Sequence, residues 1–379
     1  MVSFEIIRGK QKISEYQKDW DRIFESGAYE VSTSYEWTQA ILESTLQKTD
    51  EFFLVVIKKL GKVTGLIPLL MRKGNRFGIS IAHLLPVSDL YHTHGDLLLD
   101  ELNDEITRAF VTAIFSLDVK WDVFRMTRLL EANSIVGFVE NYLKKSSLSY
   151  EIKKDEPTFF LSLNCSYDNY LKNKSHKFRK NLKYNEKKIR ELGDVQFRGM
   201  QDMKNIEDAY NDILSIEKNS WKHIHGNSFF DNQTGREFYK YLLESTSTTG
   251  MLHLLFLVIN SEPVAYAMGC IKDNRYLFLR TSYHEKYRST SPSTLLIADL
   301  IEDLIQRGIK ELDFTGEPHE YQTHWTNELR WHRSLFIYNN TIKGKAYSLY
   351  HFLKSKKEIR YSHSIKLRKR RDFMKDSDN

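Results

Sequence analysis

Cysteine is scarce: Cys165 and Cys270 are the only two in 379 residues, match no metal-ligand spacing and give no disulfide framework. Such usage fits a reducing compartment. No run of about 18 apolar residues occurs, so no transmembrane helix is expected. The opening Met-Val-Ser-Phe-Glu-Ile-Ile-Arg lacks the charged-then-apolar shape of a signal peptide. No Ser/His/Asp or Cys/His pattern of covalent catalysis stands out. Away from the C-terminus there is no basic face with interleaved aromatics, which argues against a nucleic-acid partner. The expectation from these absences is a cytoplasmic protein.

Hydrophobic residues make up 41% and aromatics 13%, enough for real cores, and the length favours two domains over one. Charge is uneven. Residues 341–379 hold 12 Lys/Arg against 4 Asp/Glu, a surplus of 8 in a chain of net charge +6, so the rest sums to −2. A helix is expected over 347–357, and Lys366-Leu-Arg-Lys-Arg-Arg371 is a dense cationic run. Such a tail is either simply solvated or drawn weakly to an anionic membrane surface, which would put the protein at the inner membrane face.

Residues 250–325 organise the rest. Apolar runs at 252–259, 264–271 and 276–283, parted by turns at Asn260-Ser-Glu-Pro263 and Asp273-Asn274, read as an antiparallel meander. A small polar segment at 287–294 feeds a helical pattern over 295–307, Gly308 stops it, and 309–314 returns as a strand. A small-residue loop entering a helix offers unpaired amides and the positive end of the dipole, and can hold a pyrophosphate. The same Ser291, Ser293 and Thr294, with Pro292 near the first helical position, would also serve merely to cap the helix.

Residues 1–150 repeat this order. Strands are expected at 52–57, 63–71, 79–85 and 96–99, a helix over 101–117 and a further strand at 123–126. A helix at 133–145 followed by 151–157 reads as the junction. Beyond it, 168–192 is the most charged helical pattern of the body, with nine Lys/Arg against three Asp/Glu.

Tyr283, Ser291-Pro-Ser-Thr-Leu-Leu296, Asp313-Phe-Thr-Gly316 and Glu320-Tyr-Gln-Thr-His-Trp325 resemble the cofactor half of GNAT-type acyltransferases. The likeness is to their CelD/BioF-type branch, related to the Fem peptidyltransferases. Ser175-His-Lys-Phe-Arg-Lys-Asn-Leu182 and Glu217-Lys-Asn-Ser-Trp-Lys222 match that branch too. Two positions depart from it. Arg288-x-x-Ser291-x-Ser293 has serine where the wider pyrophosphate pattern has glycine, and Gln322 stands where the branch usually has lysine. The resemblance implies an α/β (α+β) protein of tandem GNAT-like domains, each a mixed, mostly antiparallel sheet flanked by helices. The divisions expected are 1–150, 151–340 and a basic extension at 341–379. It implies N-acyl transfer from acyl-CoA, acetyl-CoA or longer, as co-substrate, without a metal. The acceptor implied is an amine on an amino sugar or sugar nucleotide of surface polysaccharide biosynthesis. A Fem-like aminoacyl-tRNA-dependent peptidyltransferase and a non-catalytic binding protein are the alternatives.

Acyl transfer to an amine requires a deprotonated nitrogen, a polarised carbonyl and a proton for the leaving thiolate. Asp313 or Glu320 is the expected base, although Asp313 would equally suit a turn. Tyr321 or Tyr283 is the expected proton donor. Arg288, Ser291, Ser293, Thr294 and Arg179 are the expected cofactor ligands. Trp221 and Lys222 are expected beside the acceptor, although a tryptophan there would equally anchor a core. Asp89-Leu-Tyr-His-Thr-His-Gly-Asp96 is an unusual polar cluster. Its Asp89, His92 and His94 suit acceptor recognition or a plain exposed loop and, least favoured, together with Asp96 a metal.

Overall fold

The computed structural model describes residues 1–76, 78–91, 93–202 and 205–354; His92 and the cationic run at 366–371 lie outside them. The chain opens with β1 (Val2–Arg8), α1 (Gln17–Ser26), α2 (Tyr35–Ser44), β2 (Glu51–Lys59), β3 (Lys62–Arg76) and β4 (Ile79–Pro86). It continues through β5 (Leu98–Leu99), α3 (Asp104–Phe115), β6 (Val123–Leu130), α4 (Ser134–Lys144), β7 (Ser149–Lys154) and β8 (Thr158–Ser162). Next come α5 (Tyr167–Lys172), α6 (His176–Arg190), β9 (Val195–Gly199), α7 (Ile206–Lys218), α8 (Trp221–Ile224) and α9 (Gln233–Thr249). Then follow β10 (Leu252–Ile259), β11 (Glu262–Lys272), β12 (Arg275–Tyr283), α10 (Pro292–Gln306) and β13 (Glu311–Asp313). The described chain ends with α11 (Glu320–Thr323), β14 (Glu328–Arg330), β15 (His332–Tyr338) and a helix over 342–354, α12.

Two mixed, mostly antiparallel sheets result. The first runs β1-β2-β3-β4-β6-β15-β7, with β5 beside β3; the second runs β14-β8-β13-β12-β11-β10-β9. Each contains the same unit: an antiparallel three-strand meander, a crossover helix and a short parallel return. In the first, β4 and β6 pair in parallel around α3, and in the second β12 and β13 do so around α10. The duplication expected from element order is therefore present.

The sheets do not divide at residues 150 and 340. β7 lies next to β15, and β15 pairs with β6, so 149–154 and 332–338 both complete the first sheet. The segment expected as a junction is an edge strand, because Leu335 and Ile337 return to bury against the first core. The charged pattern over 168–192 is also two helices rather than one. Ser175 interrupts it as an N-cap, its hydroxyl accepting from the Phe178 amide at 3.1 Å.

One apolar core spans both units. Trp20, Trp37 and Leu54 pack with Phe238, Leu242 and Phe256, and the Tyr91 ring stacks on Phe238 at 3.6 Å. On the other face of the second sheet, Leu296, Ile297 and Leu300 of α10 pack with Ala265, Ala267 and Phe278. The sheet is thus sandwiched, with α7 and α9 on one face and α10 and α6 on the other. Its unpaired end is the place to look for chemistry.

Candidate active site

β12 and β13 pair only from Arg275 opposite Glu311 to Leu277 opposite Asp313, yet β12 continues to Tyr283. A notch opens where the two strands part. Within it the β11–β12 register shifts between Met268 and Gly269, leaving Leu279 as an extra residue. This bulge breaks the alternation of the strand. Leu279 packs toward α7 and α9, and Arg280 follows it to that same side, over the rings of Phe229 and Tyr239 at 5.1 and 5.0 Å.

Beyond Tyr283 the chain makes a helical turn over Glu285–Thr290 and enters α10. Ser291 is left-handed (φ 52°), its side chain makes no capping bond, and Pro292 takes the first helical position. Capping by the Ser291 hydroxyl is therefore not what this loop does. The loop is tied down by main-chain contacts: the Glu285 amide donates to Asn219 O at 2.9 Å, and Lys188 Nζ donates to Ser289 O at 2.9 Å. Ser293 and Thr294 lie in the first turn, and the exposed Arg288 reaches Glu285 at 3.2 Å. These residues bring a helix N-terminus and two cations to the mouth of the notch.

Below the mouth sits a buried polar cluster. Glu217, on α7, accepts from Tyr266 OH at 2.6 Å and from the Ser228 hydroxyl. Lys222, on α8, donates to Thr281 O on the strand beside the notch. Burial pulls Lys222 down to about 8, against the pull of Glu217 and with the help of Arg280. Arg280 Nε, Ser282 Oγ and Glu285 Oε2 are buried and have no hydrogen-bond partner. Glu285 keeps Arg288 and Arg280 keeps Tyr239 through their other atoms, so the three spare positions fall within six residues and Ser282 alone is a whole buried group without a partner, at a cost of about 1–3 kcal/mol. Tyr283 ends the strand half-buried, held protonated by burial and by Glu285. Trp221 is partly exposed at the rim.

Several expected residues are placed elsewhere. Asp313 does not face the notch: its carboxylate is fully buried, bonded to His94 Nε2 at 2.9 Å, to Arg330 and to the Thr315 amide at 2.8 Å. Burial alone would raise it, but His94 and Arg330 outweigh that and hold it far below the usual carboxylate range. His94 in turn contacts His332 Nε2 at 2.9 Å, and His332 Nδ1 faces Glu156 O at 3.3 Å. His94 thus bridges Asp313 and His332 between the sheets rather than lining an acceptor pocket. Gly95 lets this loop approach β6, since a Cβ there would lie 2.2 Å from Thr127 O. Asp89 is likewise structural, accepting from the Thr127 amide at 2.9 Å, with burial raising it to about 7.

Arg179 is engaged elsewhere too. Its Nη1 caps the end of α5, donating to Lys172 O at 3.0 Å and Lys174 O at 2.6 Å. Nine residues of α6 separate it from Lys188, roughly 13 Å along the axis. Gln322 is buried and turned inward, its Oε1 accepting from the His319 amide at 2.7 Å. Tyr321 and Glu320 are exposed on α11, with Tyr321 edge-on to Phe314 at 6.4 Å, on the β13 side of the notch. No group of three or more His, Cys, Asp or Glu side chains able to hold a metal occurs among the described residues.

Glu217, Arg280 and Ser282 were not singled out from the sequence. Glu217 had a signal, since it continues the apolar stripe Ala209, Ile213, Ile216 of α7. A carboxylate there has to be bonded. The side taken by Arg280 depends on the bulge, which no pattern in the sequence announces.

Residues 176–323 match the family model described as an acetyltransferase (GNAT) domain. Three solved structures share the fold at low identity. One titled as FemX has a TM-score of 0.60 at 10% identity, covering 91% of this chain and 99% of that one. A conserved protein of unknown function from Bacteroides thetaiotaomicron has a TM-score of 0.56 at 12%, covering 89% and 100%. The C-terminal domain of a protein assigned as a lysylphosphatidylglycerol synthetase from Agrobacterium fabrum has a TM-score of 0.52 at 11%, covering 88% and 95%. No curated protein is similar in sequence.

Proposed function

From the premise that this chain has a tandem GNAT, Fem-like fold, we propose that it is an N-acyltransferase that moves an acyl group from acyl-CoA to an amine. The observation that carries this reading is the coincidence of two features. One is a helix N-terminus with Lys188 and Arg288 beside it; the other is a buried cluster of unpartnered polar atoms along the unpaired half of β12. The first suits the diphosphate of the donor. The second suits a reacting carbonyl and an incoming amine.

In this mechanism the amine nitrogen attacks the thioester carbonyl, forming the N–C bond as the C–S bond breaks. Lys222, with a pKa of about 8, is partly neutral near pH 7.5 and takes the proton the amine must lose. Tyr283, kept protonated, gives its proton to the departing thiolate. Asp313 takes no part. The acceptor enters past Trp221, and the class suggested by the family resemblance is an amino sugar or sugar nucleotide.

Thiol release from acetyl-CoA and longer acyl-CoAs in the presence of a panel of amino sugars tests the reading. Lys222→Met should lower kcat by about 100-fold or more and abolish a pH limb near 8. An unchanged kcat and pH profile in that variant would refute the assignment.

A second reading has its own observation. Lys183, Lys187 and Arg190 lie on α6, which carries seven Lys/Arg against the single Glu186 paired with Arg190, and its Lys188 holds the donor loop, so a polyanionic donor such as an aminoacyl-tRNA would meet a basic approach. RNA copurifying with the protein and lost on neutralising those three residues would favour it.

A further inference from the structure

Strand β6 is irregular where it meets the second unit. Between Met126 opposite Leu335 and Leu129 opposite Arg333, two of its residues, Thr127 and Arg128, stand against Ser334 alone. Such a bulge re-aims a side chain. Arg128 there is left-handed (φ 56°) and only 9% exposed. Its guanidinium spans the two units, Nε donating to Thr93 O at 3.2 Å and Nη2 to Gly316 O at 2.7 Å. It makes no ion pair among the described residues, and burial lowers its pKa against the pull of Asp155, Asp313 and Glu317. A left-handed residue other than glycine and a buried charge held by carbonyls alone both cost stability, and strain of this kind gathers at functional sites.

What Arg128 holds is the turn that follows β13. Thr315 and Gly316 are both left-handed, at φ 46° and 59°. The Thr315 hydroxyl donates to Phe278 O at 2.6 Å, the first carbonyl of β12 beyond its last pairing with β13, so the turn is stitched to the point where the notch opens. One residue on, Gly316 O is taken by Arg128. The chain then runs into α11, whose Tyr321 lies edge-on to Phe314.

We propose that Arg128 is a positioning residue for the acyl donor: from the first unit it fixes the turn at 315–316, and with it the β13 wall of the notch in which the thioester arm lies. The first unit thereby takes part in a site built on the second. This inference rests on the acyl-transfer reading.

Hydrogen exchange of the unliganded protein and calorimetric titration of acetyl-CoA, compared between wild type and Arg128→Gly, test it. Glycine accepts the left-handed backbone, so the guanidinium alone is lost. With no donor present, amides in the turn and α11 should exchange about tenfold or more faster in the variant. Unchanged exchange overturns the proposal whatever the protein catalyses. Acetyl-CoA affinity should fall about tenfold or more, and guanidinium added to the solution should restore most of it, a rescue that a merely structural loss would not show. Arg128→Lys, which keeps the charge, should lose less. Gly316→Ala meets open space but is strained at φ 59°, so it disturbs the same turn from its own side and should weaken acetyl-CoA in the same direction. That variant carries the test if Arg128→Gly does not fold. Wild-type affinity in both variants overturns the positioning role and leaves acyl transfer standing. A wild type that binds no acetyl-CoA overturns both.

Discussion

Replacing Asp313 by alanine separates a structural carboxylate from a catalytic one. The side chain is fully buried and bonded to His94, Arg330 and the Thr315 amide, so its removal leaves three donors between two sheets without their acceptor. Breaking one partner out of a buried ion pair costs about 3–5 kcal/mol. For a chain of 379 residues the unfolding entropy is about 0.8 kcal/mol per degree, so Tm should fall by roughly 5 °C. His94→Ala/Asp313→Ala should cost clearly less than the sum of the single changes, because the two side chains bond each other and the donor left behind goes with its partner. Thermal melts followed by acyl-transfer assays well below Tm provide the readout. Activity there should stay within a few-fold of wild type. A variant that melts like wild type but has lost turnover would refute the assignment and return Asp313 to the chemistry.

Other consequences can be checked in parallel. Asp299 is raised to about 7 by burial and then by Glu302 and Asp303. Its neutral form stabilises the fold fully below the ordinary value of 3.8, and that contribution is lost as pH rises through about 7. Asp299→Asn should therefore melt above wild type at pH 8, with the gap closing toward pH 4; a gap independent of pH would contradict this. Arg179→Ala should cost about 1 kcal/mol through the lost cap and leave donor affinity unchanged, whereas a large loss of affinity would restore it to the donor site. Phe238→Ala should cost about 3–5 kcal/mol and lower a single cooperative transition, because its ring joins the cores of both units. Two separate melts would show the units to be independent.

Much of the fold is legible in the sequence because it is written in local patterns. The meander at 252–283, the helix after Pro292 and its parallel return all follow from apolar period and turn residues. The repeat in the first half follows from the same order. Less was legible where the chain returns from afar: β15 enters the first sheet after β13 and β14 have served the second, and its period-2 pattern fits either. The site divides in the same way. Ser291 and Ser293 lie at the start of α10 and Lys222 reaches Thr281 O, at one end of the second sheet. Asp313 and His94 were misplaced because polar residues near a turn look alike whether they face solvent or each other, and their pairing spans 219 residues. Arg280 depends on a one-residue bulge.

The grip of the α10 N-terminus on a diphosphate is tested most directly by calorimetric titration of acetyl-CoA and longer acyl-CoAs into wild type and Ser291→Asp. A carboxylate at that position favours the helix dipole by about 0.3–1 kcal/mol, so the fold should be kept or strengthened. It would also repel a bound diphosphate. Saturable binding to wild type, weakened at least about tenfold in Ser291→Asp with Tm unchanged or raised, is the predicted result. Failure of wild type to bind any acyl-CoA, or equal binding by both proteins, would contradict it.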